Sequence, residues 1–231
     1  MKSESTLPDG LVRLEKHIAH LNIASRREAK QLILDGKISV NGTVVRETGF
    51  GIHPDTDIVE IVGTLDTKQT IAFYKPRGIE TTKTDPAHTD IHDLLPDFKH
   101  LAPIGRLDKD SEGLILLSDD GLLARAVTGE HSEIEKEYIV TVRESVTAEA
   151  LERMRTGIFL GDKKTLPARA EKIDEHMFSI ILQEGRKHQI RRMADACRLT
   201  IENLKRIRVG KITLGNLQPG AWREVRHDEV V

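Results

Sequence analysis

Apolar and polar positions divide the chain into two unequal parts. In the first, "VRLEKHIAHLNI" places Leu14, Ile18 and Leu21 three or four residues apart, on one stripe of an amphipathic helix. Ser25 is a good N-cap for a second helix, "RREAKQLILDG", with Glu28 at the capping-box position and Gly36 to stop it. "KISVNGTVV" then alternates around Asn41-Gly42, a strong hairpin signal, and "DIVEIV" (57–62) reads as a further strand. These elements form a small domain over 11–63, preceded by a disordered tail (1–10) and followed by a polar linker (64–69). A second domain is expected over 70–231.

From residue 70 the period switches repeatedly. "TIAFYKP" (70–76), "LILLS" (114–118), "KEYIVTV" (136–142) and "FSIILQ" (178–183) read as strands. "DGLLARAV" (120–127), "TAEALERMRTG" (147–157) and "RKHQIRRMADAC" (186–197) read as helices. The order is that of an α+β fold, without the regular strand–helix alternation of a doubly wound sheet.

Composition narrows the class. The 231 residues suffice for a proper core, and no stretch reaches the roughly 18 apolar residues a membrane helix needs. The N-terminus is polar, with no apolar signal region, and the single Cys197 leaves no intrachain disulfide framework. A reduced, cytoplasmic protein is expected. Net charge is only −2, but residues 13–37 carry +3 and residues 184–211 carry +6, leaving −11 for the rest. Two basic patches on an acidic background fit a polyanion partner, with a solvated charged surface as the plain alternative.

The densest chemistry lies in "IGRLDKDSEGLILLSDDG" (104–121). Asp108, Asp110, Glu112 and Gly113 follow the order of a calcium loop, with Asp119 at its twelfth position. Such a loop needs a helix on each side. Pro103 and Gly105 argue against the first, and Leu114–Leu117 reads as a buried strand in place of the second. No phosphate-binding loop, dinucleotide fingerprint or serine elbow occurs. What is left is Arg106 and Asp108 in a loop that enters a buried strand, where a carboxylate is either a loop cap or a reactive group.

This stretch resembles the G-R-L-D motif of the pseudouridine synthases, in the branch typified by RsuA, RluB, RluE and RluF. Other motifs of that family follow in order: "YKPRGI" (74–79), "EKEYIVTV" (135–142), "EGRKHQIRRM" (184–193) and "LKRIRVGKITLGNLQPGAWREV" (204–225). "SRREAKQLILDGKISVNGTVV" (25–45) resembles an S4 RNA-binding domain, which this branch carries ahead of its catalytic domain. The resemblance implies a mixed, largely antiparallel central sheet with flanking helices, behind a small α-β S4-like domain. It implies conversion of a uridine in ribosomal RNA, or in a pre-ribosomal particle, to pseudouridine: the N1–C1′ bond breaks, the uracil turns, and C5 joins C1′. No atom is lost and no redox change occurs, so neither cofactor nor metal is required. Large-subunit RNA is the preferred substrate, and a monomer is expected.

By the same resemblance Asp108 matches the catalytic aspartate, acting as nucleophile or as base. Arg191 matches the cation that pairs with it, against the alternative of gripping phosphate as its neighbour Arg192 would. Tyr138 matches the residue that stacks on the target uracil, against the alternative of a core tyrosine. Arg106 matches the arginine that helps hold a uridine flipped from its stack. Lys75, Lys136, Arg186, Lys187, His188 and Gln189 are expected to line the substrate groove. Asp110 and Asp119 are expected to be loop and helix-capping carboxylates, and Asp120 to cap the following helix. In the first domain Arg26, Arg27 and Lys30 open a helix whose free N–H groups favour phosphate. Only 3% of residues are aromatic, which favours recognition of RNA shape over a stacking platform. A non-catalytic RNA-binding or ribosome-assembly factor would use both basic patches equally well, but would have no need of Asp108, Tyr138 and Arg191 together.

Overall fold

The structure, a computed structural model, describes residues 10–65, 67–129, 132–226 and 229. The tail expected to be disordered lies outside these residues except for Gly10. Two compact units emerge: one runs to Lys68 and includes Asp120–Leu122, and the other comprises Gln69–Asp119 and the chain from Leu123.

The first unit contains β1 (Val12–Arg13), α1 (Leu14–His20), α2 (Arg26–Leu34), β2 (Ile38–Val40), β3 (Thr43–Val44), β4 (Gly51–Ile52) and β5 (Val59–Ile61). Its core forms where the two helices meet β2, around Leu14, Ile18, Ala29, Ile33 and Ile38. The capping box closes as expected. Ser25 Oγ accepts from the Glu28 amide (3.3 Å), and Glu28 Oε2 accepts from the Ser25 amide (2.9 Å). Leu21 departs from the expected stripe: α1 stops at His20, the chain turns, and Leu21 is left 49% exposed. Asn41 and Gly42 both take positive φ, giving the tight turn between β2 and β3.

The second unit adds β6 (Thr70–Lys75), α3 (Ile91–Leu94), β7 (Ala102–Ile104), β8 (Glu112–Ser118), most of α4 (Gly121–Thr128), β9 (Lys136–Val142), α5 (Ala148–Thr156), β10 (Phe159–Leu160), β11 (Lys163–Lys164), β12 (Arg169–Lys172), β13 (Met177–Leu182), α6 (Gln189–Ala196), β14 (Ile201–Val209), β15 (Ile212–Thr213) and β16 (Trp222–Glu224). Its main sheet runs β12-β13-β9-β14-β8-β6-β16, with β7 against β8 and β15 against β14. All pairings are antiparallel except β14 with β8, so the sheet is mixed and largely antiparallel. All six residues of β6 are buried, because both faces of this strand are covered. Ile71 and Phe73 face the α3 side, while Ala72 and Tyr74 face α4. A separate core packs α5 and α6 on β9, β12, β13 and β14 through Val140, Met154, Phe178, Ile180 and Met193.

The parallel contact between β8 and β14 is short, pairing Glu112 with Lys205 and Gly113 with Arg206. Beyond it β8 exchanges β14 for β7. Gly113 makes this approach feasible. Its φ is +104°, and a Cβ there would collide with the Arg206 carbonyl oxygen and lie 2.8 Å from the Arg206 nitrogen. The glycine that completes the calcium-like pattern is therefore a strand-crossing residue.

Candidate active site

Asp108 sits on the loop between β7 and β8, and the loop is held at its centre by a buried hydroxyl. Thr81 Oγ1 donates to the Leu107 carbonyl (2.7 Å) and accepts from the Leu107 amide (3.0 Å). The Leu107 side chain packs into the core with Ile91, Leu101 and Ile115. On the other side of Asp108, the Ser111 amide donates to the Asp108 carbonyl (3.0 Å), and the Gly78 amide donates to the Lys109 carbonyl (2.7 Å). The backbone is thereby fixed before and after Asp108, while its side chain stays 39% exposed to a cleft. Thr81 carries no motif signal in the sequence, and nothing in the hydrophobic pattern marks it.

Helix α6 brings cations to this loop. Ile190, Met193 and Ala194 face the core, which turns Arg191 towards the loop. Arg191 Nη2 donates to the Asp110 carbonyl (3.1 Å) and to Ser111 Oγ (3.0 Å), and its Nε lies 3.7 Å from Asp108 Oδ2. The guanidinium thus grips the loop backbone and places positive charge beside the carboxylate at once. His188 Nε2 lies 3.4 Å from Asp108 Oδ1. His188 takes left-handed φ (+52°), so α6 begins at Gln189, three residues later than the sequence suggests.

Asp108, Arg106, Tyr138, Lys187, His188 and Arg191 all line one cleft of about 620 Å³. Tyr138 is half-buried on β9, between Ile180 on β13 and Arg206 on β14, and packs against two of the apolar clusters. Its ring is a wall of the cleft rather than a fully enclosed core residue.

Of the other expected groove residues, Arg186 and Gln189 line this cleft with their polar groups engaged by the protein, while Lys75 and Lys136 do not line it. Lys75 is wholly buried: its Nζ donates to the carbonyls of Pro76 (2.9 Å) and Ile79 (2.7 Å). Burial pushes its ammonium down to about 8, against the upward pull of Asp108, Glu112 and Asp110. It is an internal charge and does not face a ligand in the groove. Gln189 borders the cleft, but its amide is buried and spent, donating to Glu184 Oε1 (2.7 Å) and accepting from the Arg186 amide (2.9 Å). Arg186 reaches Glu184 Oε2 (2.9 Å) and the carbonyls of Lys163 (3.3 Å) and Lys164 (2.7 Å), which ties the loop before α6 to β11. Lys136 is half-buried and lies outside this cleft, its Nζ near the Gln183 carbonyl (3.4 Å). Arg192 is exposed on α6, and in the first unit Arg26, Arg27 and Lys30 are exposed on α2.

Of the remaining acids of 104–121, Asp110 has an exposed side chain, only its carbonyl being held by Arg191, and the other three make structural contacts. Glu112 accepts from Tyr74 Oη (3.1 Å) and Asn203 Nδ2 (2.8 Å). Asp120 accepts from the Leu122 amide at the start of α4 (2.9 Å), as expected of a cap. Asp119 instead accepts from the Gln69 amide (2.8 Å), linking two strand ends rather than capping a helix. Strand β7 precedes this stretch and β8 occupies Glu112–Ser118 within it, so the acids run into a strand rather than around a loop between two helices, as a calcium site requires.

Comparison with known proteins gives this geometry a family. The RNA pseudouridylate synthase family model matches residues 69–196, and the S4 domain model matches residues 12–58. An RNA pseudouridine synthase of Aquifex aeolicus is 35% identical over 229 residues, covering 95% of this chain and 92% of its own. The dual-specificity RNA pseudouridine synthase RluF of Escherichia coli K12 is 36% identical over 232 residues, covering 97% and 79%. The ribosomal large subunit pseudouridine synthase B of Bacillus subtilis is 36% identical over 229 residues, covering 94% and 93%. A crystal structure of a pseudouridylate synthase superposes with a TM-score of 0.70 at 29% identity, covering 94% of this chain and 97% of that one. Among the described residues no helix is long and apolar enough to cross a membrane. The cleft that gathers Asp108, Tyr138 and Arg191 thus lies in a chain that belongs to the RNA pseudouridylate synthase family, an isomerase of RNA with an S4 domain ahead of it.

Proposed function

We propose that this enzyme converts one uridine of large-subunit ribosomal RNA to pseudouridine, with Asp108 as its catalytic carboxylate. The observation that carries the reading is the convergence of Asp108, Tyr138 and Arg191, from three separate elements, on one cleft. Asp108 acts on the ribose or the uracil as the glycosidic bond breaks, either as nucleophile or as base. Arg191 supplies the nearby positive charge, His188 stands beside the carboxylate, and the Thr81 clamp keeps the carboxylate in place. Tyr138 offers a ring against which the turning uracil stacks. Arg106, on the same loop and facing the same cleft, holds the nucleotide after it leaves its stack.

Lys136, Lys187 and Arg192 contact the RNA backbone around this cleft, and Arg26, Arg27 and Lys30 do so from the S4 domain, which spans 11–63 ahead of a 64–69 linker. Such contacts position an enzyme without reading sequence. The reading of large-subunit RNA is supported by the name of the Bacillus subtilis relative. The substrate is the free RNA or a pre-ribosomal particle, met by a single copy of the chain in the cytoplasm.

The test maps pseudouridine across 23S and 16S ribosomal RNA from cells that lack the gene, complemented with wild type or Asp108→Asn. One 23S uridine is expected to stay unmodified without the gene and with the variant. Restoration by Asp108→Asn would remove Asp108 from the chemistry, and a lost 16S site instead would overturn the subunit assignment.

A further inference from the structure

A second cleft, of about 770 Å³, adjoins the first and shares Arg106, Tyr138, Glu184, Gly185 and Arg186 with it. Its own lining adds Lys136, Lys163 and Arg206. Five cations therefore face it against two carboxylates. Of these, Glu184 is already taken by Arg186, Gln189 and the Leu166 amide, and Glu133 is exposed.

Arg206 is the unusual member. It lies in mid-strand on β14, paired with Tyr138 on β9 and Gly113 on β8, and is only 5% exposed. Its Nε donates to the Leu114 carbonyl (2.7 Å), yet its Nη2 is buried with no hydrogen-bond partner. A buried guanidinium N–H without an acceptor carries its full desolvation penalty, so such a group is retained where a ligand supplies the acceptor. Lys136 is the neighbouring cation, and burial together with the Arg206 charge pushes its ammonium below the usual lysine range. Two like charges share a space whose carboxylates are the already engaged Glu184 and the exposed Glu133, an arrangement that an anion relieves.

We propose that this second cleft is an anion subsite that receives one phosphodiester of the RNA strand beside the target uridine, with Arg206 Nη2 as principal donor and Lys136 as its companion. The proposal rests on the reading of the first cleft as the uridine site. The shared wall explains the choice of ligand: a strand whose base enters beside Tyr138 must carry its next phosphate past Arg106 and Tyr138, into the neighbouring space.

The test is the salt dependence of binding to a fluorescein-labelled heptauridylate, followed by anisotropy. Each phosphate of a single strand that a protein cation neutralises releases counterions and steepens the slope of log K against log salt by about 0.7. Arg206→Met is expected to lose about that much slope and to bind several-fold more weakly near 0.1 M salt, while Arg206→Lys keeps most of the slope. A folded Arg206→Met protein with wild-type slope and affinity overturns the proposal. Should Arg206→Met not fold, Lys136→Gln carries the measurement, and an unchanged slope there overturns it equally. Pseudouridine formation by wild type is read separately. If it is intact and the slopes do not change, the subsite alone is wrong; if wild type converts no uridine, the function proposed above is wrong and the slopes still report on the anion site.

Discussion

Lys75 offers the sharpest quantitative prediction, because a fully buried ammonium must leave a signature in stability against pH. Its pKa falls from the usual 10.5 to about 8, chiefly through burial. A gap of that size corresponds to about 3 kcal/mol of differential stability between the two protonation states. The sign follows from proton counts. Between pH 8 and 10.5 the unfolded chain keeps the Lys75 proton while the native state has released it, so stability rises with pH across that window. Below pH 8 both states are protonated, and the native state carries the whole penalty of the buried charge. Urea unfolding of wild type and Lys75→Met from pH 7 to 10.5 isolates the contribution, since groups common to both proteins cancel in the difference. Wild type should gain about 3 kcal/mol relative to the variant over the range. A difference that stays flat would refute the reasoning, as would a Lys75 Nζ that titrates near 10.5 by NMR. Asp108→Asn should lower the Lys75 pKa further, because Asp108 is the largest of the carboxylate pulls that hold it up.

Three other substitutions probe the frame around the cleft. Thr81→Val keeps the shape but removes the hydroxyl that serves both polar groups of Leu107, so stability should drop by about 1–3 kcal/mol. Its kcat should fall more than its KM rises, and an unchanged kcat would show that the loop holds Asp108 without the clamp. Arg191→Lys keeps the charge but cannot reproduce the planar grip on Asp110 and Ser111, so kcat should fall by about 10²-fold. Full activity would mean that charge alone suffices. Gly113→Ala adds a Cβ into the Arg206 backbone at a positive φ, and should cost about 2–5 kcal/mol in urea unfolding. A loss below about 1 kcal/mol would show that β8 and β14 can separate there.

Much of this arrangement is legible in the chain. The first unit follows from local rules: Ser25 and Glu28 cap α2, and Asn41-Gly42 turns the hairpin. β6 and β8 announce themselves as apolar runs because both faces are covered. The loop around Asp108 can be placed from motifs, although its Thr81 clamp is non-local and leaves no pattern. β14 escapes the apolar pattern, although at nine residues it is the longest strand among the described residues. "IENLKRIRV" places Leu204 and Arg206 on its inward positions, and an inward arginine breaks the alternation that marks a half-buried strand. The segment reads as part of a basic surface patch, whereas Arg206 is buried. The same mistake of kind attaches to Lys75: charge suggests surface, and only the tertiary structure shows an internal cation.

Lys75 also changes the meaning of the acid-rich stretch. Asp108, Asp110 and Glu112, the acids whose spacing mimics calcium ligands, are the groups whose charge raises the Lys75 ammonium back towards its usual range. β6 and β8 pair Lys75 with Gly113, directly after Glu112, so the internal lysine lies across the sheet from this loop. Arg191 on α6 and His188 just before it meet Asp108. The carboxylate therefore belongs to an electrostatic group with a buried ammonium and the Arg191 guanidinium. Such a group constrains substitution in both directions. Removing an acid leaves Lys75 with less compensation, and neutralising Lys75 leaves an excess of negative charge beside the cleft. The spacing of acids at alternate positions serves this purpose because the loop ends in a strand. Glu112 points into the Tyr74 and Asn203 contacts, while Asp108, four residues earlier, remains open to the cleft. One motif thus supplies both the counter-charge that tolerates a buried lysine and the carboxylate proposed to act on uridine.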